Sequence, residues 1–285
     1  MKPGETDYET RQAGHRTDYG DNRLRQLLRL SRSQSHHRRE TAHRDVPGAG
    51  SRHGAASCSA NGRPVRGGLH PDSKIKNIFQ EVGTRLVRQS VAGSSAYKFS
   101  FDVLKDAETV NAFALPGGPI FITAALLNRL ENEAQLAGVL GHEVGHVVAR
   151  HSAEHMAKSQ LAQLLVGAVG VAATDEEHPG RGQQAAAAAA FVSQMVNLRY
   201  GRQDELESDG LGVRLMSEAG YDPRSMLDVM RILAASSKGG RQPEFLNTHP
   251  DPGNREEKIK AAIAERYPQG VPGQLVTGRS LLVLK

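Results

Sequence analysis

Two histidines four residues apart, with a glutamate directly after the first, constrain this chain more than any other stretch. They lie in Gly141-His142-Glu143-Val144-Gly145-His146, inside the apolar run from Leu136 to Arg150. Residues four apart on an α-helix differ by only about 40° around the axis. His142 and His146 therefore project from one face, one turn apart. Two neutral imidazoles so placed can grip one Zn²⁺ at about 2.0–2.1 Å. Glu143 is turned away from that line, so its carboxylate sits beside an ion rather than on it. There it can take a proton from a water that the ion polarises. The competing reading of the pentapeptide alone is a pair of surface histidines on a solvated helix.

The rest of the chain must supply a core around that helix. There is no Trp among the 285 residues, and the first seventy carry many Arg, His, Ser and Gly. Such a segment cannot bury enough apolar surface to offset chain entropy. Residues 1–69 read as a disordered basic segment and 70–285 as the folded domain. Leu24-Arg25-Gln26-Leu27-Leu28-Arg29-Leu30 could form a short basic amphipathic helix. The net charge of +5 comes largely from this segment. An arginine-rich tail can attract nucleic acid or anionic lipid. A solvated tail is the favoured reading, with no specific nucleic acid as partner, because aromatic interleaving and nucleic-acid motifs are missing. Cys58 is the single cysteine, so no disulfide forms within the chain. Ala55-Ala56-Ser57-Cys58 looks like a lipoprotein cleavage site but lacks the preceding apolar stretch. No apolar run near Met1 suits a signal peptide, and none is long enough to span a bilayer.

From residue 70 the pattern becomes regular. Asp72 or Ser73 caps a helix whose buried face is Ile75, Ile78, Phe79, Val82, Leu86 and Val87. Tyr97 to Leu104 alternates apolar and polar residues and reads as a half-buried strand. Val110 to Leu115 is a second strand, closed by Pro116-Gly117-Gly118-Pro119. Ile120-Phe121-Ile122 returns beside it as a hairpin, and Thr123 caps a short helix over Ala124 to Leu130. Asn132, with Gln135 three residues on, is a capping box for the long helix that carries the histidines. Gly141 and Gly145 each cost that helix about 1 kcal/mol against Ala. A helix accepts this where another backbone approaches closely.

That other backbone is expected in a second helix, starting at the alanine run 185–190 and continuing to about Met216. It carries Asp204-Glu205-Leu206-Glu207-Ser208-Asp209. Glu205 and Asp209 are four apart and share a face. A catalytic zinc takes three protein ligands plus water, and Glu205 is the third candidate. Asp209, one turn on, can accept the free ring N–H of a ligating histidine. Glu207, two positions from Glu205, points elsewhere. His151 and His155 form another pair, but a continuous helix puts His151 roughly 180° from His142. Both are expected at the surface. Leu161 to Ala173 is apolar and short, either a buried helix or a flap touching a membrane surface.

Five blocks in this order resemble the M48 zinc metallopeptidases, the family that includes the CAAX prenyl proteases and the HtpX-like and BepA-like groups. They are Asn111-Ala112-Phe113-Ala114-Leu115-Pro116-Gly117-Gly118, His142-Glu143-Val144-Gly145-His146, Glu205-Leu206-Glu207-Ser208-Asp209, Ala219-Gly220-Tyr221-Asp222-Pro223, and Thr248-His249-Pro250-Asp251-Pro252 with Arg255. The resemblance covers roughly residues 75 to 265. It implies a gluzincin-type α+β fold, mainly helical, with a small sheet beside the active-site helix. It implies one Zn²⁺ per chain on His142, His146 and Glu205, with Glu143 as general base and Asp209 behind a ligating histidine. His249 matches a position that approaches the metal, as a fourth ligand in a resting form or as an aid to the oxyanion. Arg255 matches a second oxyanion or substrate contact. The nearest likeness is to soluble periplasmic BepA- or LoiP-like members, which places the protein in the bacterial cell envelope. Two departures stand out: the missing signal peptide, and a chain that ends at Lys285 with no tetratricopeptide-repeat domain after the peptidase region.

The chemistry expected is hydrolysis of peptide bonds in misfolded or envelope proteins. The strand Asn111, Ala112, Phe113 and Ala114 would offer its edge to an extended substrate; an ordinary core hairpin is the alternative. The rival function is a latent zinc-containing chaperone or scaffold, blocked through His249, that binds misfolded clients without cutting them.

Overall fold

Asp72 caps the first described helix as expected: its carboxylate accepts the Lys74 N–H at 2.7 Å at the start of α1, Ser73–Arg88. Phe79, Val82 and Leu86 on that helix are buried. The computed structural model describes residues 68–157, 199–237, 243–251 and 253–282. The basic segment before residue 68, the apolar stretch Leu161 to Ala173 and the alanine run 185–190 lie outside the described residues.

A 3₁₀ turn at Val91–Ser94 leads to strand β1, Ser100–Leu104. Strands β2, Ala112–Ala114, and β3, Pro119–Thr123, complete the sheet in the order β1-β3-β2. β2 and β3 are antiparallel, with Phe113 opposite Phe121, so the expected hairpin is present. β1 runs parallel to β3. β1 is shorter than the alternation suggests because the Lys98 N–H donates to Gly117 O in the hairpin loop. β2 is an edge strand among the described residues, and it is buried throughout.

Thr123 caps α2, Ala124–Leu127, by accepting the Leu126 N–H at 3.3 Å. This helix stops short of Leu130, whose N–H turns back to Leu127 O. Helix α3, Glu133–Ala149, follows, and all its residues are buried. Its N-terminus is a modified capping box. Asn132 Oδ1 accepts the Gln135 N–H at 3.0 Å, whereas Gln135 Oε1 accepts the Glu131 N–H at 2.7 Å rather than that of Asn132.

Helix α4, Arg202–Glu218, crosses α3 at close range. A Cβ on Gly141 would lie 3.2 Å from the Gly212 backbone, and one on Gly145 would lie 3.0 Å from Ser208 O. The propensity cost of those two glycines is therefore offset by the approach of the two backbones. The expectation that this helix runs unbroken from the alanine run is corrected. It begins at Arg202 with Gly201 as N-cap, and Tyr200 is non-helical. Tyr200 is diverted by a backbone bond to Thr248 O at 3.1 Å.

Three further helices close the domain: α5, Ser225–Ser236; α6, Glu244–Thr248; and α7, Arg255–Arg266. One continuous core joins α1, the sheet, α3, α4, α5 and α7. The architecture is thus mainly helical with a small sheet, as expected. Among the described residues no helix is long and apolar enough to cross a membrane.

Candidate metal centre

The two histidines of α3 point at α4, and α4 answers with a carboxylate. Nε2 of His142 and Nε2 of His146 lie 3.0 Å apart. Glu205 Oε2 is 3.4 Å from His142 Nε2, and Glu205 Oε1 is 3.5 Å from His146 Nε2. His249, at the end of α6, brings its Nδ1 to 3.2 Å from His142 Nε2 and 3.1 Å from Glu205 Oε1. One ligand atom from each of the four residues lies within 4.8 Å of the others, and all four residues are buried. This is the one such group among the described residues. Burying two imidazoles against a carboxylate without water is costly unless a cation rewards it. Glu205 Oε2 accepts no hydrogen bond, an orphan that a divalent ion would satisfy. Nitrogen and carboxylate donors of this kind fit a zinc site.

The far ring nitrogens are also held. His142 Nδ1–H donates to Asp209 Oδ1 at 2.9 Å. Asp209 in turn accepts from Arg255, at 2.8 Å from Nε and 2.7 Å from Nη2. Arg255 Nη1 lies 3.2 Å from Glu205 Oε2. Arg255 is therefore buried against Asp209 and Glu205, and its Nη2 also lies 3.4 Å from His142 Nδ1. His146 Nδ1 is 2.9 Å from His151 Nδ1.

That last contact corrects the surface reading of His151 and His155. His151 is 4% exposed. The helix argument assumed that α3 continues, but Arg150 takes left-handed backbone at φ 67° and ends it. Residues 151–157 form a separate helical segment, which swings His151 back to His146. His155 is half-buried and bonds Asp204 Oδ2 at 2.7 Å. Sequence reading also missed Tyr200 and Phe245. The Tyr200 ring stacks on His146 at 3.8 Å between centroids, and Phe245 stacks on His249 at 4.4 Å. Tyr200 shares a hydrogen bond with Ser152 at 2.7 Å. No local signal marks these aromatics, since their partners lie far away in sequence.

Glu143 is fully buried beside the cluster, and neither carboxylate oxygen has a hydrogen-bond partner. His249 Nε2 lies 3.5 Å from Oε1. Burial pushes its carboxyl above the ordinary range, against the pull of His249 and His142. Burial likewise holds His146 well below the usual imidazole value. In Glu205, burial is outweighed by His249, His142 and His146, which hold the carboxylate ionised.

A comparison with known families decides what these residues belong to. The model of peptidase family M48 matches residues 73–263. The chain belongs to peptidase family M48. Among curated M48 relatives, the beta-barrel assembly-enhancing protease of Escherichia coli K12 is 33% identical over 198 residues, 68% of this chain and 40% of the relative. The mitochondrial metalloendopeptidase OMA1 of Schizosaccharomyces pombe is 35% identical over 177 residues, 62% of this chain and 50% of the relative. The Saccharomyces cerevisiae OMA1 is 32% identical over 200 residues, 67% of this chain and 55% of the relative. This M48 chain thus spans roughly half the length of the curated relatives it matches, and the family match over residues 73–263 contains every residue of the cluster.

His142 carries a consequence for metal binding. Burial lowers its pKa, but the Asp209 and Glu205 hydrogen bonds win and raise it to about 9. The folded value lies above the unfolded reference of about 6.5. Charged His142 thus stabilises the metal-free fold below about pH 6.5, and that contribution is lost as pH rises through about 9. A ligating histidine must be neutral. Zinc binding at pH 7 is therefore expected to release about one proton, with affinity rising up to about pH 9. Calorimetry in two buffers of different ionisation enthalpy measures this; equal heats in both would refute it.

Proposed function

We propose that this chain is a zinc-dependent metalloendopeptidase, with residues 70–285 as its peptidase domain. The observation that carries the reading is Glu143, a buried carboxylate with two unpartnered oxygens set one residue from His142 in a His142–His146–Glu205–His249 cluster. In this reading His142, His146 and Glu205 hold one Zn²⁺. A zinc ion bound there supplies Lewis acidity, polarising a scissile carbonyl and bringing the pKa of water towards neutrality. Glu143 takes the proton from the attacking water and delivers it to the leaving amine nitrogen as the C–N bond breaks. Asp209 fixes the His142 ring. The edge of β2, Asn111 to Ala114, receives an extended substrate by backbone pairing, alongside α3. His249, with its Nε2 towards Glu143, is placed to donate to the oxyanion once its Nδ1 withdraws from the cluster.

Substrates are proteins or peptides, in a role in quality control of envelope proteins, a reading supported by the similarity to a beta-barrel assembly-enhancing protease. The compartment proposed is the bacterial envelope, with peripheral membrane contact.

One observation favours a latent form of the same centre. His249 Nδ1 lies within the cluster, 3.1 Å from Glu205 Oε1, at the position a substrate carbonyl or attacking water would need. Phe245 stacked behind the ring holds it there. A form closed in this way would bind misfolded clients without cutting them. The test is casein cleavage by the zinc-loaded chain and by His249→Ala. If the closed form is latent, the variant keeps one zinc and cleaves faster than wild type, because three ligands remain and the fourth position opens. An active wild type that loses activity in His249→Ala would instead assign His249 to the oxyanion. Cleavage by neither protein would refute the peptidase reading.

A further inference from the structure

We infer that His151 is a positioning residue for the metal site: it sets the ring orientation and tautomer of His146. This deepens the reading above and rests on His146 being a metal ligand.

The geometry begins with His146. Its Nε2 faces the cluster, 3.0 Å from His142 Nε2 and 3.5 Å from Glu205 Oε1. An imidazole that ligates through Nε2 carries its proton on Nδ1. That Nδ1–H points at His151 Nδ1, at 2.9 Å. His151 Nδ1 must then be the acceptor, and so it is unprotonated. Ser208 Oγ lies 3.3 Å from the same nitrogen. The His151 proton consequently sits on Nε2, which faces carboxylates: Glu207 Oε2 at 3.5 Å and Asp204 Oδ1 at 3.8 Å. Every proton in the chain His146–His151–Glu207 is assigned by this single constraint, with no donor facing a donor.

The two zinc-ligand histidines therefore have different supports. His142 leans on Asp209, a carboxylate tied to Arg255, and His146 leans on a neutral imidazole. The Tyr200 ring on the His146 face restrains tilt, but it makes no hydrogen bond to Nδ1. Rotation of the His146 ring is thus opposed at its polar edge by His151 alone among the described residues. The left-handed residue Arg150 is what permits this, since it breaks α3 and returns His151 to the ligand one residue later. A non-glycine residue in that conformation costs about 1–2 kcal/mol. Such strain is kept where the surroundings need it.

The experiment compares zinc affinity, by competition with a chromogenic chelator, in wild type, His151→Phe, His151→Gln and His155→Phe. His155 shares the same helical segment and the same partner Asp204 but does not touch His146. Outer partners of this kind are worth about 10–100-fold in metal affinity. We expect His151→Phe to bind zinc about 10–100-fold more weakly. We expect His151→Gln, whose amide oxygen can accept the Nδ1–H, to recover most of that loss, and His155→Phe to bind as wild type. Thermal melts of the metal-free proteins separate fold damage from site damage. Nitrogen-15 shifts of the His146 ring in the metal-free protein should show the Nδ1–H tautomer in wild type and mixed tautomers in His151→Phe. Unchanged affinity in His151→Phe, an equal loss in His155→Phe, or a Gln variant as weak as the Phe variant would overturn the assignment. A wild type that binds no zinc would overturn the metal reading itself.

Discussion

Glu143→Gln is expected to lower casein hydrolysis by about 10²–10⁴-fold while leaving one zinc per chain. The change is isosteric, and it removes only the ability to take and return a proton. A structural carboxylate would behave differently. Glu143 is buried, its oxygens accept no hydrogen bond, and burial already pushes its carboxyl upward. Replacing it with a neutral amide relieves a desolvation cost rather than breaking an interaction. The melting temperature of the metal-free variant should therefore match or exceed that of wild type. Loss of activity together with unchanged zinc and unchanged or higher stability is a combination that misfolding cannot produce. Wild-type cleavage rates in the glutamine variant would remove Glu143 as the base.

The elements that the sequence made legible are those whose cause is local. Helical spacing places His142 and His146 on one face, and Asp72, Thr123 and Asn132 cap their helices as their side chains dictate. The hairpin Phe113–Phe121 follows from its Pro-Gly-Gly-Pro turn. Gly141 and Gly145 announced a close second backbone, and α4 provides it. What was not legible depends on one backbone dihedral or on distant partners. Nothing in Ala149-Arg150-His151 shows that Arg150 becomes left-handed, so the 3.6-residue period carried His151 to the wrong side. The start of α4 at Arg202 depends on Tyr200 being drawn to Thr248, 48 residues away. Tyr200 and Phe245 stack on His146 and His249 through tertiary packing alone.

Arg255→Met is expected to be the most destabilising of the substitutions around the centre. Arg255 is 2% exposed, and its guanidinium forks onto Asp209 while Nη1 lies 3.2 Å from Glu205. Burial works against its charge, and the two carboxylates overcome that. Removing one partner of a buried ion pair costs about 3–5 kcal/mol, because the remaining charge is left uncompensated. At roughly 2–4 °C per kcal/mol for a domain of this size, the metal-free melt should fall by about 6–20 °C. Arg224, also paired with an aspartate but 61% exposed, is the control. Arg224→Met should cost no more than about 1 kcal/mol. The pH dependence has a definite sign. For Asp209, burial is outweighed by Arg255 and His142, so its folded pKa is depressed. Its stabilising effect is present above the unfolded value of about 3.9 and is lost as pH falls through the lower folded value. In the variant Asp209 keeps the His142 hydrogen bond but loses the guanidinium, so less of this stabilisation remains for acid to remove. The gap between wild type and Arg255→Met should narrow as pH drops below about 4. Zinc at a hundredfold excess over each protein's dissociation constant adds about 2.7 kcal/mol to both, so the gap should change only as far as their zinc affinities differ. If Arg255 served a substrate carbonyl instead, the variant would keep its melting temperature and lose turnover alone. That result would move Arg255 from the support of Asp209 and Glu205 to the reacting atoms.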